Sequence, residues 1–574
     1  MSFAAIRSIA TSALMASQVR MQVAATNIAN ADVAGYTRKT AVQIATASTG
    51  AGTGTTITAV TSEVDKYLLS DVIGAASALG EAEVADAKAD ALQALFGSTT
   101  SSSDTGTSVA DTITSLQTTL TSLAGTPESG TLNSLAVSGL DAVASELREL
   151  SAGVQDLRAD ADSQIADAVD VANAALDTIA TLNEQIVTAK ALGESTADLE
   201  DKRNAALETL SGVLDVSYIV KANGQMRVST TSGTALVDSA VHHLSYTAAA
   251  VVTEDTGFAG ITVGGKDITG EISSGAMGGL LEQRDEVLPG IQSALDALAG
   301  QLIETLNSAY NAGTSLPPPT MLTGTTAVTG SDALNATGTL RVATTDADGK
   351  LVTYGDIDLS AIATMDDLVT ALNGIDGISA SIASGTLAIT STDGNGVSLA
   401  DIDSGVGGTG VSDYFGLNDL LTGTDASSIQ VRSDILAGTT AFATAMLDTS
   451  GTLSVGDTVL HHSGTFVQSL ETAMASDSSF AATGGIRAAS TDLASYAALI
   501  VSDAASKASS AATALEATQS TYDTAHDALT SQTGVNVDEE SARLSELEQY
   551  YSSAAQILET LNAMFDALLS AVRS

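Results

Sequence analysis

The sequence predicts an α+β multidomain protein. Its terminal helices form an α-helical coiled coil, a long-helix bundle domain carries β-hairpins, and an α+β outer domain is inserted into the bundle. Three observations lead there: an unbroken heptad seam at the C-terminus, long internal stretches of helical apolar spacing, and a change of texture after Pro317-Pro318-Pro319 to short strands joined by turn dipeptides. The boundaries expected are 1–36 plus 535–574 for the terminal coiled coil, 37–315 plus 432–534 for the helical bundle, and 316–431 for the inserted outer domain. A chain of 574 residues fits such a division at about 150 residues per domain.

The N-terminal stretch Ser2 to Ile28 has no Gly or Pro, and Ile6, Ile9, Ala13, Ala16 and Val23 recur at helical spacing. Leu14, Met21 and Ile28 widen that stripe, and Arg20 interrupts it. Asn27-Ile28-Ala29-Asn30-Ala31-Asp32, followed by Gly35, reads as a helix stop and a turn. At the other end Leu544, Leu547, Tyr551, Ala554, Leu558, Leu561, Phe565, Leu568 and Val572 step by three and four without a break. Asn536 or Asp538 serves as N-cap; Glu539 and Glu540 in the first turn and Arg573 in the last suit the helix dipole. A terminal helix with so strict a seam needs a partner, and the N-terminal helix is the obvious one. Two such helices gain most of their stability from packing, so they are expected to order on meeting neighbours.

Inside the chain, Leu140, Val143, Leu147, Leu150, Val154, Leu157 and Ala161 form a second seam. Ile165 and Val169 shift its register before Ala172, Leu176 and Ile179 resume it, a stutter that locally unwinds a supercoil. Helices are further expected at about 196–214, at 279–311 with a kink or break at Pro289-Gly290, and at about 490–530. Hairpins are expected at 218–220/226–228 around Asn223-Gly224 and at 339–342/351–354 around Asp348-Gly349. A strand pair 378–382/386–390 and a short helix Met365–Leu372 complete the insertion.

Composition narrows the function. With 68 acidic and 22 basic residues the net charge is -46, which argues against nucleic acid and keeps free subunits soluble and mutually repelling. Cysteine is absent, which excludes disulfides, a thiolate nucleophile and Cys metal sites. No run of about 18 apolar residues occurs, so no membrane insertion is expected. Ser8 to Ala16 after Arg7 is too polar and too soon followed by Gln18, Arg20 and Gln22 to read as a cleaved signal peptide.

Asn27-Ile28-Ala29-Asn30 followed by Val33-Ala34-Gly35-Tyr36-Thr37-Arg38 resembles the N-terminal motif shared by flagellar rod, hook and hook-associated axial proteins, and is most similar to the FlgK-type hook-associated family. Val535-Asn536-Val537-Asp538-Glu539-Glu540, Leu547 to Tyr551 and Asn562 to Leu569 resemble that family's closing helix. Leu182-Asn183-Glu184-Gln185-Ile186 with Leu199-Glu200-Asp201-Lys202-Arg203, Gly278 to Asp285, and Phe415 to Leu420 resemble its internal segments. The resemblance covers both ends and the middle, about a third of the chain, and leaves 40–130 and 430–530 matched in texture only. It implies a structural subunit, not an enzyme, at the junction of hook and filament. It implies an extracellular location reached by type III export without signal cleavage. The implied partners are the hook protein, a second hook–filament junction protein, copies of itself in a helical lattice, and a cytoplasmic export chaperone on the C-terminal helix. The implied assembly interface is the pair of seams: Leu544, Leu547, Tyr551, Leu558, Leu561, Phe565, Leu568 and Val572 with Ile6, Ile9, Ala13, Ala16 and Val23. The motif residues are Asn27, Asn30, Gly35, Tyr36, Thr37 and Arg38. Another axial protein, of hook or distal rod, is the alternative; a secreted calcium-stabilised adhesin or surface-layer protein is a more distant one.

No cofactor, metal or catalytic site is expected. Gly405-Val406-Gly407-Gly408-Thr409-Gly410 matches a dinucleotide fingerprint in letters but lacks a strand–turn–helix context. His242-His243 and His461-His462 are adjacent pairs whose side chains diverge in a strand. Asp346-Ala347-Asp348-Gly349 and Asp393-Gly394-Asn395-Gly396 lack the terminal Glu of a calcium loop and sit where turns are expected.

Overall fold

A computed structural model describes residues 3–48, 51–62, 64–97 and 108–573. Its helices are α1 (Phe3–Ala29), α2 (Lys66–Phe96), α3 (Val109–Gly125), α4 (Gly130–Leu192), α5 (Ala197–Val213), α6 (Gly275–Glu282), α7 (Leu288–Tyr310), α8 (Met365–Leu372), α9 (Val411–Phe415), α10 (Ser433–Leu436), α11 (Gly464–Ala475), α12 (Leu493–Thr533) and α13 (Val537–Arg573). The chain is 55% helical and 19% strand. Every described strand ladder is antiparallel, so the class is α+β and no βαβ unit forms among the described residues.

The chain divides into two compact units. One is built from Met1–Lys88, Ala159–Arg284 and Ser509–Ser574, the other from Ala89–Arg158 and Asp285–Ala508. Helices α2, α4 and α12 contribute residues to both. Each unit has its own core, because each buries a different length of the α4 seam. In the first unit Ala161, Ile165, Val169, Ala172, Leu176 and Ile179 pack with Leu207 and Leu210 of α5 and with Met226 and Val228. In the second unit Leu140, Val143, Leu147, Leu150 and Val154 pack with Ile113 and Leu116 of α3, Ile291, Leu295 and Leu298 of α7, and Leu470 of α11. The stutter at Ile165 and Val169 turns the stripe without losing burial.

In the first unit the strands Val216–Val220 and Met226–Thr230 pair around Asn223-Gly224, and Gly224 takes the positive φ such a turn demands. The hairpin is held from behind by Arg203, whose guanidinium donates to Asn183 Oδ1 at 3.0 Å and to the Gly224 carbonyl at 2.6 Å. Asn183 in turn exchanges hydrogen bonds with the Met226 backbone, both at 2.8 Å. A second polar knot centres on Arg284, 2% exposed, which pairs with buried Asp162 at 2.9 Å and donates to the Tyr246 hydroxyl at 2.6 Å. Its guanidinium carbon also lies 4.1 Å from the centroid of the Phe258 ring, close enough for a cation–π contact.

In the second unit the strands Met321–Ala327, Thr339–Thr345, Leu351–Asp358, Ile378–Ala383, Thr386–Ser391 and Gly396–Asp401 form two three-stranded sheets. With α8 they enclose a separate core including Val342, Leu368, Leu372, Ile389 and Phe415. The chain returns to the helices through Phe415–Leu421, pinned by the last turns of α7. Asn307 Oδ1 accepts from the backbones of Leu420 at 2.9 Å and Leu421 at 2.8 Å, and Asn311 Oδ1 accepts from Ser412 Oγ at 2.8 Å and Asn418 N at 2.9 Å. The interruption expected at Pro289-Gly290 falls just ahead of it, as a π segment Gln283–Val287 between α6 and α7. Pro289 has no N–H to give the carbonyl four residues back, so the ladder widens in the preceding turn. Gly405–Gly410 forms a tight turn with Gly407 and Gly408 at positive φ, and only the five-residue α9 follows it.

Removing Arg284 alone leaves Asp162 buried and uncompensated. Arg284→Met is expected to cost about 3–5 kcal/mol, read as a lower urea midpoint by circular dichroism; pairing it with Asp162→Leu should recover most of the loss.

Candidate assembly interface

α1 and α13 pack against each other within the first unit. The pair is antiparallel. Asn27, near the end of α1, meets Glu540 in the first turn of α13, and Arg20, two turns earlier, acts on the Tyr550 hydroxyl, which donates to Glu546 at 2.7 Å. The buried residues of α1 are Ala10, Ala16, Ser17, Ala24 and Asn27. Ala10, Ser17 and Ala24 lie seven apart, so small side chains make up a buried line along α1. Among the seam residues expected from sequence, Ala16 is buried, and Ile6, Ile9, Ala13 and Val23 are half-buried. On α13, Leu547 and Ala554 are buried, Leu544, Leu558 and Leu561 are half-buried, and Tyr551, Phe565, Leu568 and Val572 are exposed.

The motif residues converge on one polar knot. Asn27 is fully buried. Its Nδ2 donates to the Lys39 carbonyl at 3.0 Å and to Glu540 Oε2 at 3.2 Å, and its Oδ1 accepts from Lys39 N at 3.0 Å and from the Tyr36 hydroxyl at 2.9 Å. An amide is the one neutral side chain that supplies two donors and an acceptor at this reach. Asn30 closes α1, its Nδ2 donating to the Thr26 carbonyl at 2.8 Å. Gly35 then takes φ +73°, which turns the chain back and delivers Tyr36, Thr37 and Arg38 to the helix pair.

Two carboxylates complete the knot. Asp201 of α5 accepts from Thr37 N at 3.0 Å, from Thr37 Oγ1 at 2.6 Å and from the buried Lys39 ammonium. Glu540, 1% exposed, accepts from Arg38 Nε at 2.7 Å as well as from Asn27, and Arg543 lies 3.8 Å away. Arg38 N also donates to the Thr533 carbonyl at 2.7 Å, and Asn536 caps α13 by accepting from Asp538 N at 3.0 Å and Glu539 N at 3.2 Å. Burial, with Asp198, Asp201 and Glu540 close by, pushes the Tyr36 hydroxyl up to about 12. Lys39, Asp201 and Glu540 were not among the expected site residues. Glu540 had the sequence signature of a solvated first-turn acid, and nothing local pairs Asp201 with a lysine 162 positions away.

The knot ties the end of α1, the returning chain, α5 and the first turn of α13 together. The histidine pairs are engaged separately: His243 Nε2 is 2.8 Å from Asp177 Oδ1, and His462 Nδ1 is 2.8 Å from Thr444 Oγ1. Among the described residues, no group of three His, Cys, Asp or Glu side chains is placed to hold a metal ion, and no helix is long and apolar enough to cross a membrane.

Comparison with known proteins bears on this arrangement. Residues 8–37 match the family model of the flagella basal body rod protein, and residues 98–320 match that of the flagellar hook-associated protein FlgK helical domain. Flagellar hook-associated protein 1 of Escherichia coli strain K12 is 25% identical over 584 aligned positions, spanning 98% of both chains. Its Salmonella typhimurium counterpart is 40% identical over 73 residues, 13% of each chain. The flagellar hook junction protein FlgK from Burkholderia pseudomallei aligns in structure with a TM-score of 0.49 at 16% identity, over 80% of this chain and 99% of that one. The rod-type match falls on α1 and the knot and likens that region to the axial components of the bacterial flagellum, which are structural proteins. Within that class, the helical-domain match and the near-full-length relative make the chain similar to the FlgK-type hook-associated proteins.

Two outcomes test the knot. Asn27→Ala orphans the Lys39 amide and loosens Glu540, at a cost of about 2–4 kcal/mol, read as faster amide exchange in β1 (Lys39–Ser48) and the first turns of α13. The Tyr36 hydroxyl titrates near 10 when unfolded and near 12 when folded, so between those values the folded chain holds the extra proton. Stability therefore falls as pH rises from 10 to 12, and Tyr36→Phe should flatten that part of the curve in a pH series of urea midpoints.

Proposed function

We propose that the chain is a structural subunit of the hook–filament junction and joins a helical lattice through its terminal helices. The observation that carries this reading is the state of α13. Its first turns are fixed by the knot and its middle packs on α1, yet Ile557, Met564, Phe565, Leu568, Leu569 and Val572 stand exposed, from 42% to 77%. A run of large apolar side chains left in water on a terminal helix marks a surface completed by another molecule. The partners proposed are copies of this chain, the hook protein and a second junction protein. Before assembly the same surface is an aggregation hazard, so a cytoplasmic chaperone covering α13 fits the requirement, as does export without signal cleavage.

Chains lacking about forty residues at either end should stay soluble with a folded middle and should not support filaments. Electron microscopy of cells carrying only the truncated chain is expected to show hooks without filaments. Filaments on those hooks would refute assembly through the termini, and missing hooks would point instead to a rod or hook subunit.

A further inference from the structure

Taking assembly through the terminal helices as given, we propose that the hairpin of β1 (Lys39–Ser48) and β2 (Ala51–Ser62) is an intramolecular mask over the apolar stripe of α1, which the free subunit surrenders to the bare distal part of α13 of a second copy. The hairpin lies along α1, and its contacts fall on one face of that helix. Lys39 meets Asn27, Gln43 accepts from Arg20 Nη1 at 3.4 Å, and Thr55 N donates to Ser12 Oγ at 3.1 Å. A Cβ placed on Gly54 would stand 3.6 Å from Ile9 Cα. Positions 9, 12, 20 and 27 share the side of α1 that carries Ile9, Ala13, Ala16 and Val23.

The two ends of the hairpin are held unequally. At its base Lys39 is locked by Asn27 and Asp201, Ser62 Oγ bonds Thr37 Oγ1, and Ser195 Oγ donates to the Val60 carbonyl at 2.9 Å. Toward the tip, among the described residues, the polar bond to α1 is the one between Thr55 N and Ser12 Oγ. Among the described residues the hairpin has no third strand, and two register breaks, at Val42/Gln43 and Thr46/Ala47, interrupt its ladder. An isolated two-stranded ribbon is marginal, so this one borrows its stability from α1. Close approach is built in at Gly54, which sits at φ +136° where an added Cβ would come within 2.1 Å of Ser12 Oγ. The result is a strap hinged at a fixed base and lightly held at its end.

The occupant follows from what the subunit leaves bare. Distal α13 exposes its apolar side chains with Glu559 and Asp566 among them, whereas the covered face of α1 carries Arg20 and the helix has no acid from Phe3 to Ala29, in a chain of net charge -46. Opposite charge and matching apolar character make α1 the complement of distal α13. With both stripes open, free subunits would associate before reaching the lattice; covering one of the two prevents that.

Because the chain has no cysteine, an introduced pair reports cleanly. Ser12 Cβ lies 3.0 Å from the Cβ position of residue 54, so Ser12→Cys with Gly54→Cys reaches the disulfide span of about 3.5–4.5 Å with a small shift. The full-length double variant is added to isolated hooks that lack this subunit, oxidised and then reduced, the reduced form serving as its own control for folding. The oxidised form is expected to bind at least about tenfold more weakly than the reduced form, equivalent to ~1.4 kcal/mol. Gly54→Val, which pushes the strap off without a covalent bond, is expected to bind at lower concentration than the wild-type chain. Equal binding by oxidised and reduced forms overturns the mask. For the occupant, two populations carrying Ile9→Cys or Phe565→Cys are loaded together and oxidised. Linked pairs are expected, and their absence overturns the assignment to α13. Failure of the wild-type chain itself to bind hooks would instead sink the junction reading.

Discussion

Everything at the termini depends on one buried amide. Asn27 hydrogen-bonds to β1, to Tyr36 and to Glu540, so a single side chain fixes the end of α1, the return of the chain and the first turn of α13. A charged residue there would face Glu540 or Lys39 unbalanced, and an apolar one would orphan the backbone of Lys39. The ions around it are compensated in the same local way, with Arg38 on Glu540 and Lys39 on Asp201. The antiparallel helix pair is therefore set by polar geometry at one end, and its packing line need only be small and close. Ala10, Ser17 and Ala24 meet that condition.

The same device recurs within the first unit. Arg203 and Asn183 hold the hairpin at Asn223-Gly224, and Arg284 holds Asp162 and Tyr246. In a chain with 3% aromatic residues and no tryptophan, cores built from Ala, Val, Leu and Ile pack well but specify orientation weakly. Buried, hydrogen-bonded polar groups are far more restrictive in geometry, so they supply the orientation that small apolar residues leave open.

Local periodicity was readable and remote pairing was not. The α4 seam, the helix Met365–Leu372 and the hairpins at 216–230 and 339–358 all stand where the spacing and turn dipeptides put them, because three- and four-residue steps and Asn-Gly or Asp-Gly turns act over a few positions. The hairpin β1–β2 escaped notice. Its strands are Thr, Ala and Gly with a few β-branched residues, so no clean alternation marks them. The buried line of α1 escaped for a related reason, since Ala and Ser seven apart carry no hydropathy contrast against an Ala-rich background. The knot could be read on one side only. Asn27 to Arg38 stood out as a family motif, but its acids come from positions 201 and 540, which only the fold brings near.

The exposed end of α13 follows from length. α13 has 37 residues and α1 has 27, and the two start their antiparallel run at Glu540 and Asn27. Counting 24 residues back along α1 to Phe3 reaches a point opposite roughly residue 564, at about 1.5 Å of rise per residue on each helix. Phe565, Leu568 and Val572 therefore lie past the point opposite Phe3, the first described residue of α1. No rearrangement of α1 covers them without breaking the bonds of Asn27, because the register is pinned at the far end. The heptad seam is continuous in sequence but unevenly covered: Leu547 and Ala554 are buried within the subunit, and the distal residues stand exposed as the surface proposed for a neighbour. On the proposed reading, that division gives one helix two tasks, holding the subunit together and joining it to its neighbours.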